Sequence, residues 1–201
     1  PKDTARQLEI GVAINWLAVA RANLHRTEDA LALRKREIAL YQNVLSSDPG
    51  NTNAKRLLGV AWNEVGGIYA HQGRTDLALE ACDISLAIFK QLRKIEPKNT
   101  EWQEIELRSL DWRASTLFDM GRIAQSRQAH QAAVQSLNAL AASDPTNAAW
   151  NIDLRSHLEV RSARMDFAEG KLDSALQKAE SAATRLRRCD KADAADFSAT
   201  L

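Results

Sequence analysis

Residues Ser46 to Asn51 read "SSDPGN", Lys94 to Asn99 read "KIEPKN" and Ala142 to Asn147 read "ASDPTN". Their prolines, Pro49, Pro97 and Pro145, stand 48 residues apart, and the one other proline, Pro1, lies one further step back. Proline lacks an amide N–H and drives the residue before it away from helical backbone, so each stretch ends a helix. In or just before the first turn of the next helix the missing N–H costs little, and a nearby Asn or Thr can cap that helix. A second marker keeps the same step. His25, Gly73 and Gly121 are 48 apart and each is followed by Arg, while a fourth copy, "GKLDSAL" from Gly170, comes one residue late. Asn51, Asn99 and Asn147 also keep step, with Ala54, Trp102 and Trp150 three residues beyond them. Two independent markers with one period identify an internal repeat.

Working outward, each unit reads as two helices. From about Asn53 to His71, Leu57, Leu58, Ala61, Trp62, Val65, Ile68 and Tyr69 recur at helical spacing. Gly73 supplies a left-handed residue that ends this helix. A second helix then runs from about Asp76 to Lys94, with Leu79, Cys82, Leu86 and Phe89 along one side. The same pattern predicts helices near 3–23 and 28–46, 101–119 and 123–142, and 148–168 and 172–189. The units are about 1–48, 49–96, 97–144 and 145–193, with 194–201 as a tail or cap, and the whole chain 1–201 is expected to be a single array. Pro1 reads as a joint with no unit before it, which marks the chain as cut from a longer array.

Bulk properties narrow the function classes. The chain has 201 residues, with 27 Lys+Arg against 26 Asp+Glu, so it lacks the basic excess of a nucleic-acid binder. Cys82 and Cys189 make no metal-ligand spacing and no disulfide framework. No apolar run approaches the roughly 20 residues that cross a bilayer. The start "PKDTARQL" has no signal-peptide core, and the expected compartment is cytoplasmic.

Nothing forms a catalytic constellation. His25, His71, His130 and His157 make no HxxxH or HExxH pair, and His25 and His71 fall at turns between helices. Cys82 sits at a packing position, where a thiol behaves as a small hydrophobe. Glu101, Glu104 and Glu106 cluster near a helix start, where carboxylates complement the macrodipole. "RKRE" at Arg34–Glu37 and "RLRRC" at Arg185–Cys189 read as solvated helix faces. No Gly-rich phosphate loop is present. No cofactor, no metal and no enzymatic activity are expected.

The second unit resembles the tetratricopeptide repeat family. Its W-x2-L-G-x2-Y…A-x3-F pattern reads here as Trp62, Val65, Gly66, Tyr69, Ala78 and Cys82. Small residues at Gly66 and Ala78 let the two helices of the unit approach closely. The family period is about 34 residues, so this chain resembles a long-helix variant with about two extra turns per helix. The resemblance implies an all-α, right-handed superhelical solenoid of four antiparallel helical hairpins, with the first helix of each hairpin lining a concave groove. The family's groove positions carry over onto Asn15, Trp16, Val19 and Asn23, then Asn63, Glu64, Gly67 and His71. In the third unit they are Asp111, Trp112, Ser115, Phe118 and Asp119, and in the fourth Glu159, Ala163 and Asp166. Trp16 and Trp112 stand either in this groove or in the core between units. The carried-over set holds five carboxylates and no Lys or Arg, which implies an acidic, aromatic-bearing groove for a protein or peptide segment of basic and apolar character. The expected function is protein–protein interaction or scaffolding within a larger protein. A sensory or regulatory module of a bacterial multidomain signalling protein, controlling a fused effector domain, is the alternative. Terminal units of an array expose apolar surface unless capped, which also permits self-association.

Overall fold

The computed structural model describes the backbone of residues 2–198 and the side chains of residues 4–187. Pro1, the side chain of Cys189 and the last residues of the tail lie outside the described residues. Eight α-helices follow one another: α1 Lys2–Asn23, α2 Thr27–Ser47, α3 Thr52–His71, α4 Thr75–Ile95, α5 Thr100–Asp119, α6 Ile123–Ser143, α7 Arg155–Ala168 and α8 Leu172–Ser198. A π-helical segment, Ala149–Leu154, leads directly into α7. There is no strand among the described residues, and the fold is an all-α solenoid of helical hairpins, α1/α2, α3/α4, α5/α6 and α7/α8. The first helix of each later hairpin packs on the hairpin before it, so α5 lies against both α3 and α4. The last helix continues to Ser198 rather than ending near 189.

The punctuation acts as the sequence requires. Asn51, Asn99 and Asn147 cap the helices that follow, accepting from the backbone N–H of Ala54 at 2.9 Å and of Trp102 and Trp150 at 3.1 Å. Asn51 and Asn99 also donate back to Asp48 and Glu96, each at 3.0 Å, so the stretch closes on itself. Gly73, Gly121 and Gly170 have φ of 69°, 71° and 76°, and the residue after each bonds a carbonyl five residues back, as Arg74 does to Tyr69 at 2.9 Å. His25 holds the corresponding place in the first hairpin and adopts φ 57° without being glycine. Gly66 is a close approach: a Cβ there would lie 3.1 Å from Cys82 Sγ.

The π-helical segment explains the late fourth glycine. Trp150 keeps the 48-residue step from Trp102, whereas Gly170 follows Gly121 by 49. The extra residue lies between them, and a wider π turn accommodates one more residue than an α turn. Beyond Leu154 the chain returns to α-helical geometry.

Apolar burial ties the hairpins together. Leu31, Ile38 and Tyr41 of α2 share one core cluster with Leu58, Ala61, Val65 and Tyr69 of α3. Phe89 and Leu92 of α4 meet Trp102 of α5. Leu137 and Leu140 of α6 meet Trp150 and Leu158. Each fully buried Leu or Phe contributes about 1.5–3 kcal/mol. One polar link runs through the middle: Ser85 donates to the Gly59 carbonyl at 2.9 Å, Ser109 donates to Asn63 Oδ1 at 2.9 Å, and the two hydroxyls stand 3.0 Å apart.

Candidate functional site

Part of the carried-over set lines three separate clefts. The first, of about 350 Å³, is lined by Asn63, Glu64, Gly67, Ile68 and His71 of α3, by Trp112 of α5, and by Ala22 and Thr27 of the first hairpin. Four sequence-expected residues, Asn63, Glu64, His71 and Trp112, therefore meet at one place. Trp112 packs over Gly67, where an added Cβ would meet the indole at 3.4 Å, an ordinary van der Waals contact. The His71 ring meets the same indole edge-on, with centroids 5.4 Å apart, and its Nδ1 is 2.8 Å from the Gly67 carbonyl oxygen. Asn63 is buried and held by Ser109, whereas Glu64 is half exposed and 3.8 Å from Arg34.

The second cleft, about 340 Å³, also borders Trp112 and is lined by Arg108, Asp111, Asp153, Leu154 and His157 among others. Asp111 is buried beneath Arg161 of α7, which bonds both carboxylate oxygens, one at 3.0 Å, and His157 Nε2 lies 3.2 Å from the same group. Burial pushes the Asp111 carboxyl up, but the hydrogen bond from His157 and the charge of Arg161 outweigh it and leave the group below its ordinary range.

The third cleft, about 720 Å³, is strongly apolar and lies at the α7/α8 end. Phe118, Val160, Phe167, Leu172 and Leu176 line it, with Arg164 stacked over Phe118 at 5.2 Å. Asp119 is exposed, 3.9 Å from Arg164.

Several expectations are corrected. The carboxylates of the expected acidic groove are met by basic side chains from neighbouring helices. Asp111 meets Arg161, and Glu159 takes two bonds from Arg185 at 2.7 and 2.9 Å. Asp166 is buried among Arg127 at 2.6 Å, Ser174 at 2.7 Å and Lys178. Burial pushes the Asp166 carboxyl up, and those three donors overcome it and hold it far below the usual carboxylate range. Glu64 and Asp119 are the solvent-facing acids of the set. In "RKRE", Arg34 and Glu37 are buried and paired at 2.8 Å, with Arg34 also bonding Asn15, so only Lys35 and Arg36 of this run face solvent. Arg185 of the second basic run is likewise half buried on Glu159. Glu101, Glu104 and Glu106 do more than complement a dipole. They bond Arg56 at 3.0 Å, the Trp150 indole at 2.9 Å and Arg93 at 2.7 Å.

Trp16 is 67% exposed on α1 and lines none of these three clefts, and Asn15 beside it is half buried. The missed residues, Arg34, Arg161 and the α8 leucines, carry a signal in the period. Arg161 stands 49 residues after Trp112, the step of the late glycine.

Cys82 is buried, and burial pushes its thiol up to about 12. No group of three or more His, Cys, Asp or Glu side chains suited to a metal ion occurs among the described residues. No helix among them is long and apolar enough to cross a membrane.

No family model and no curated protein matches the sequence. A solved structure of Pseudomonas aeruginosa pilF aligns over 89% of this chain and 78% of that one, at 14% identity and a TM-score of 0.44. Agreement at that level bears on neither function nor partner.

Proposed function

We propose that the chain is a protein-interaction module, a long-helix tetratricopeptide-like array whose first helices receive a segment of another protein at the Trp112 cleft. The observation that carries this reading is the meeting of Trp112 with Gly67, His71, Asn63 and Glu64 in one concave place between α3 and α5. An aromatic wall beside a missing side chain accepts an apolar anchor, and the half-exposed Glu64 at its edge favours a basic neighbour. The partner is a protein segment with one apolar and one basic residue, rather than a nucleic acid, because the chain has no net basic field. We read the module as non-enzymatic. The Cys82 thiol is buried and held protonated, and the Asp111–His157 pair is engaged by Arg161 rather than by a nucleophile.

The test is selection of peptides from a random library on the whole chain, repeated on Trp112→Ala. Selected peptides should share an apolar–basic pattern and bind Trp112→Ala about thirtyfold more weakly, the weight of a central aromatic anchor. Recovery of the same peptides with unchanged affinity by Trp112→Ala would remove the cleft from the function.

A further inference from the structure

The internal joint between α4 and α5 carries charge where the joints on either side are apolar. Arg93 of α4 donates to Glu106 of α5 at 2.7 Å, and Glu106 is buried. One repeat earlier these two places hold Leu45 and Leu58, and one repeat later Ala141 and Leu154. Lys90 and Lys94 flank Arg93, whereas the other joints have Gln42 and Ser46, or Asn138 and Ala142. Basic residues in a last turn complement the helix dipole, which accounts for Arg93 and Lys94 at the end of α4. It does not account for a carboxylate buried at a leucine position. Lys90, Arg93, Lys94 and Glu106 line one open hollow of about 340 Å³.

The bond to Glu106 fixes Arg93 by one end and leaves the other free. A guanidinium can hold a carboxylate or phosphate with two nitrogens at once, and elsewhere this chain uses the Nε–Nη2 edge to do so. Arg161 holds Asp111 in this way, Arg127 holds Glu169 at 2.8 Å from both nitrogens, and Arg108 holds Glu104 at 3.1 and 2.7 Å. Arg93 gives Nη1 to Glu106, and its Nε–Nη2 edge holds no carboxylate among the described residues. Its Nε is shielded from solvent and has no acceptor, a costly state for a donor. Lys90 and Lys94 are exposed and make no ion pair among the described residues. Three cations against one carboxylate leave the hollow with an excess of positive charge.

We infer that this hollow is an anion site: an oxyanion, carboxylate or phosphate, bonds the Nε–Nη2 edge of Arg93, and Lys90 and Lys94 close on it. Glu106 acts as a positioning residue that holds Nη1. The Arg93 side chain is 39% exposed, which leaves it free to make the small rotation that brings Nε out to the ligand. The hollow shares no lining residue with the Trp112 cleft, and neither reading depends on the other.

The test is a nitrogen–proton correlation titration of the whole chain that follows the Arg93 Nε–H signal, assigned by its loss in Arg93→Lys. One arm adds inorganic phosphate and the other a short peptide of glutamates. The signal should move and saturate in at least one arm. A response to phosphate alone assigns the site to a phosphate-bearing ligand, to the peptide alone to an acidic protein segment, and to both to oxyanions of either source. Lys90→Gln combined with Lys94→Gln should weaken the saturating titration about tenfold. Both positions are exposed, and an unchanged thermal midpoint checks that the double variant still folds. A signal that stays still in both arms overturns the inference, and so does a double variant that titrates like wild type.

Discussion

Trp112 and Arg161 occupy equivalent places on α5 and α7, and each leans on the first helix of the preceding hairpin. Trp112 rests on Gly67 and His71 of α3, beside a cleft that stays open. Arg161 reaches Asp111 of α5 and fills the corresponding place with charge. One position of the repeat thus serves two purposes. At the middle joint it is aromatic and borders an open cleft. At the last joint it is an ion pair that fastens two hairpins and needs both partners present. The helix behind each joint follows suit: Cys82 of α4 and His130 of α6 hold the same repeat position, and both are buried titratable groups.

Breaking the ion pair should have the largest effect. Asp111→Ala leaves Arg161 buried without a counter-charge and is expected to cost about 3–5 kcal/mol in denaturant unfolding. Replacing Arg161 with Leu in the same chain should recover a large part of that loss. If Asp111→Ala is no worse than a surface substitution, the last joint is not fastened by this pair.

Acid should separate the two joints next. Burial pushes the His130 imidazole down to about 4 from its ordinary 6.5, with Arg161, Lys178 and Arg127 adding to the effect and Asp111 opposing it. The folded state binds this proton more weakly than the unfolded chain. Stability is therefore lost as pH falls from about 6.5 to about 4, by about 2–3 kcal/mol. Asp111 and Asp166, held low, stay ionised through most of this window, and Glu37, pushed up by burial, works in the opposite sense. The discriminating measurement is unfolding free energy against pH for wild type and His130→Gln. The substitution should flatten the acid loss, and equal slopes would clear His130 of it.

A smaller effect lies at the hairpin turns. His25 holds a left-handed backbone that glycine holds in the other three hairpins. His25→Gly should raise stability by about 1 kcal/mol, read as a higher unfolding midpoint. The smallest change is expected from a deletion. Removing Asp153, exposed within the π-helical segment, should leave the unfolding free energy within about 1 kcal/mol, because the turn can relax to α geometry. Removing the exposed Arg108 from α5 instead rotates every later side chain of that helix by about 100° relative to the earlier ones, and cooperative unfolding should suffer severely.

Helix ends were legible in the sequence because their causes are local. Pro49, Gly73 and Asn51 act on residues within one turn of themselves, and the observed ends fall within a residue or two for α1 to α6. The one-residue delay at Gly170 was equally visible, but its resolution into a π turn depends on packing, since Trp150 and Gly170 must both keep their places. The candidate site was legible in part. Asn63, Glu64, His71 and Trp112, picked out by the resemblance alone, line one cleft. The electrostatics of the carried-over acids were not legible, because the balancing charges come from other helices. Arg161, Arg127, Lys178 and Arg185 are distant from the carboxylates they meet or lie on the facing helix. Arg34 and Glu37 sit three residues apart in a charged run, and only the position of α3 and α1 decides that this side of α2 is covered.

The serine link at the centre has a mechanical consequence. Apolar contact is non-directional, so it defines register less sharply than a hydrogen bond does. The hydroxyls of Ser85 and Ser109 define it sharply, since a shift of one residue, about 1.5 Å along an α-helix, would pull Ser109 off Asn63. The middle of the molecule is therefore keyed in one register.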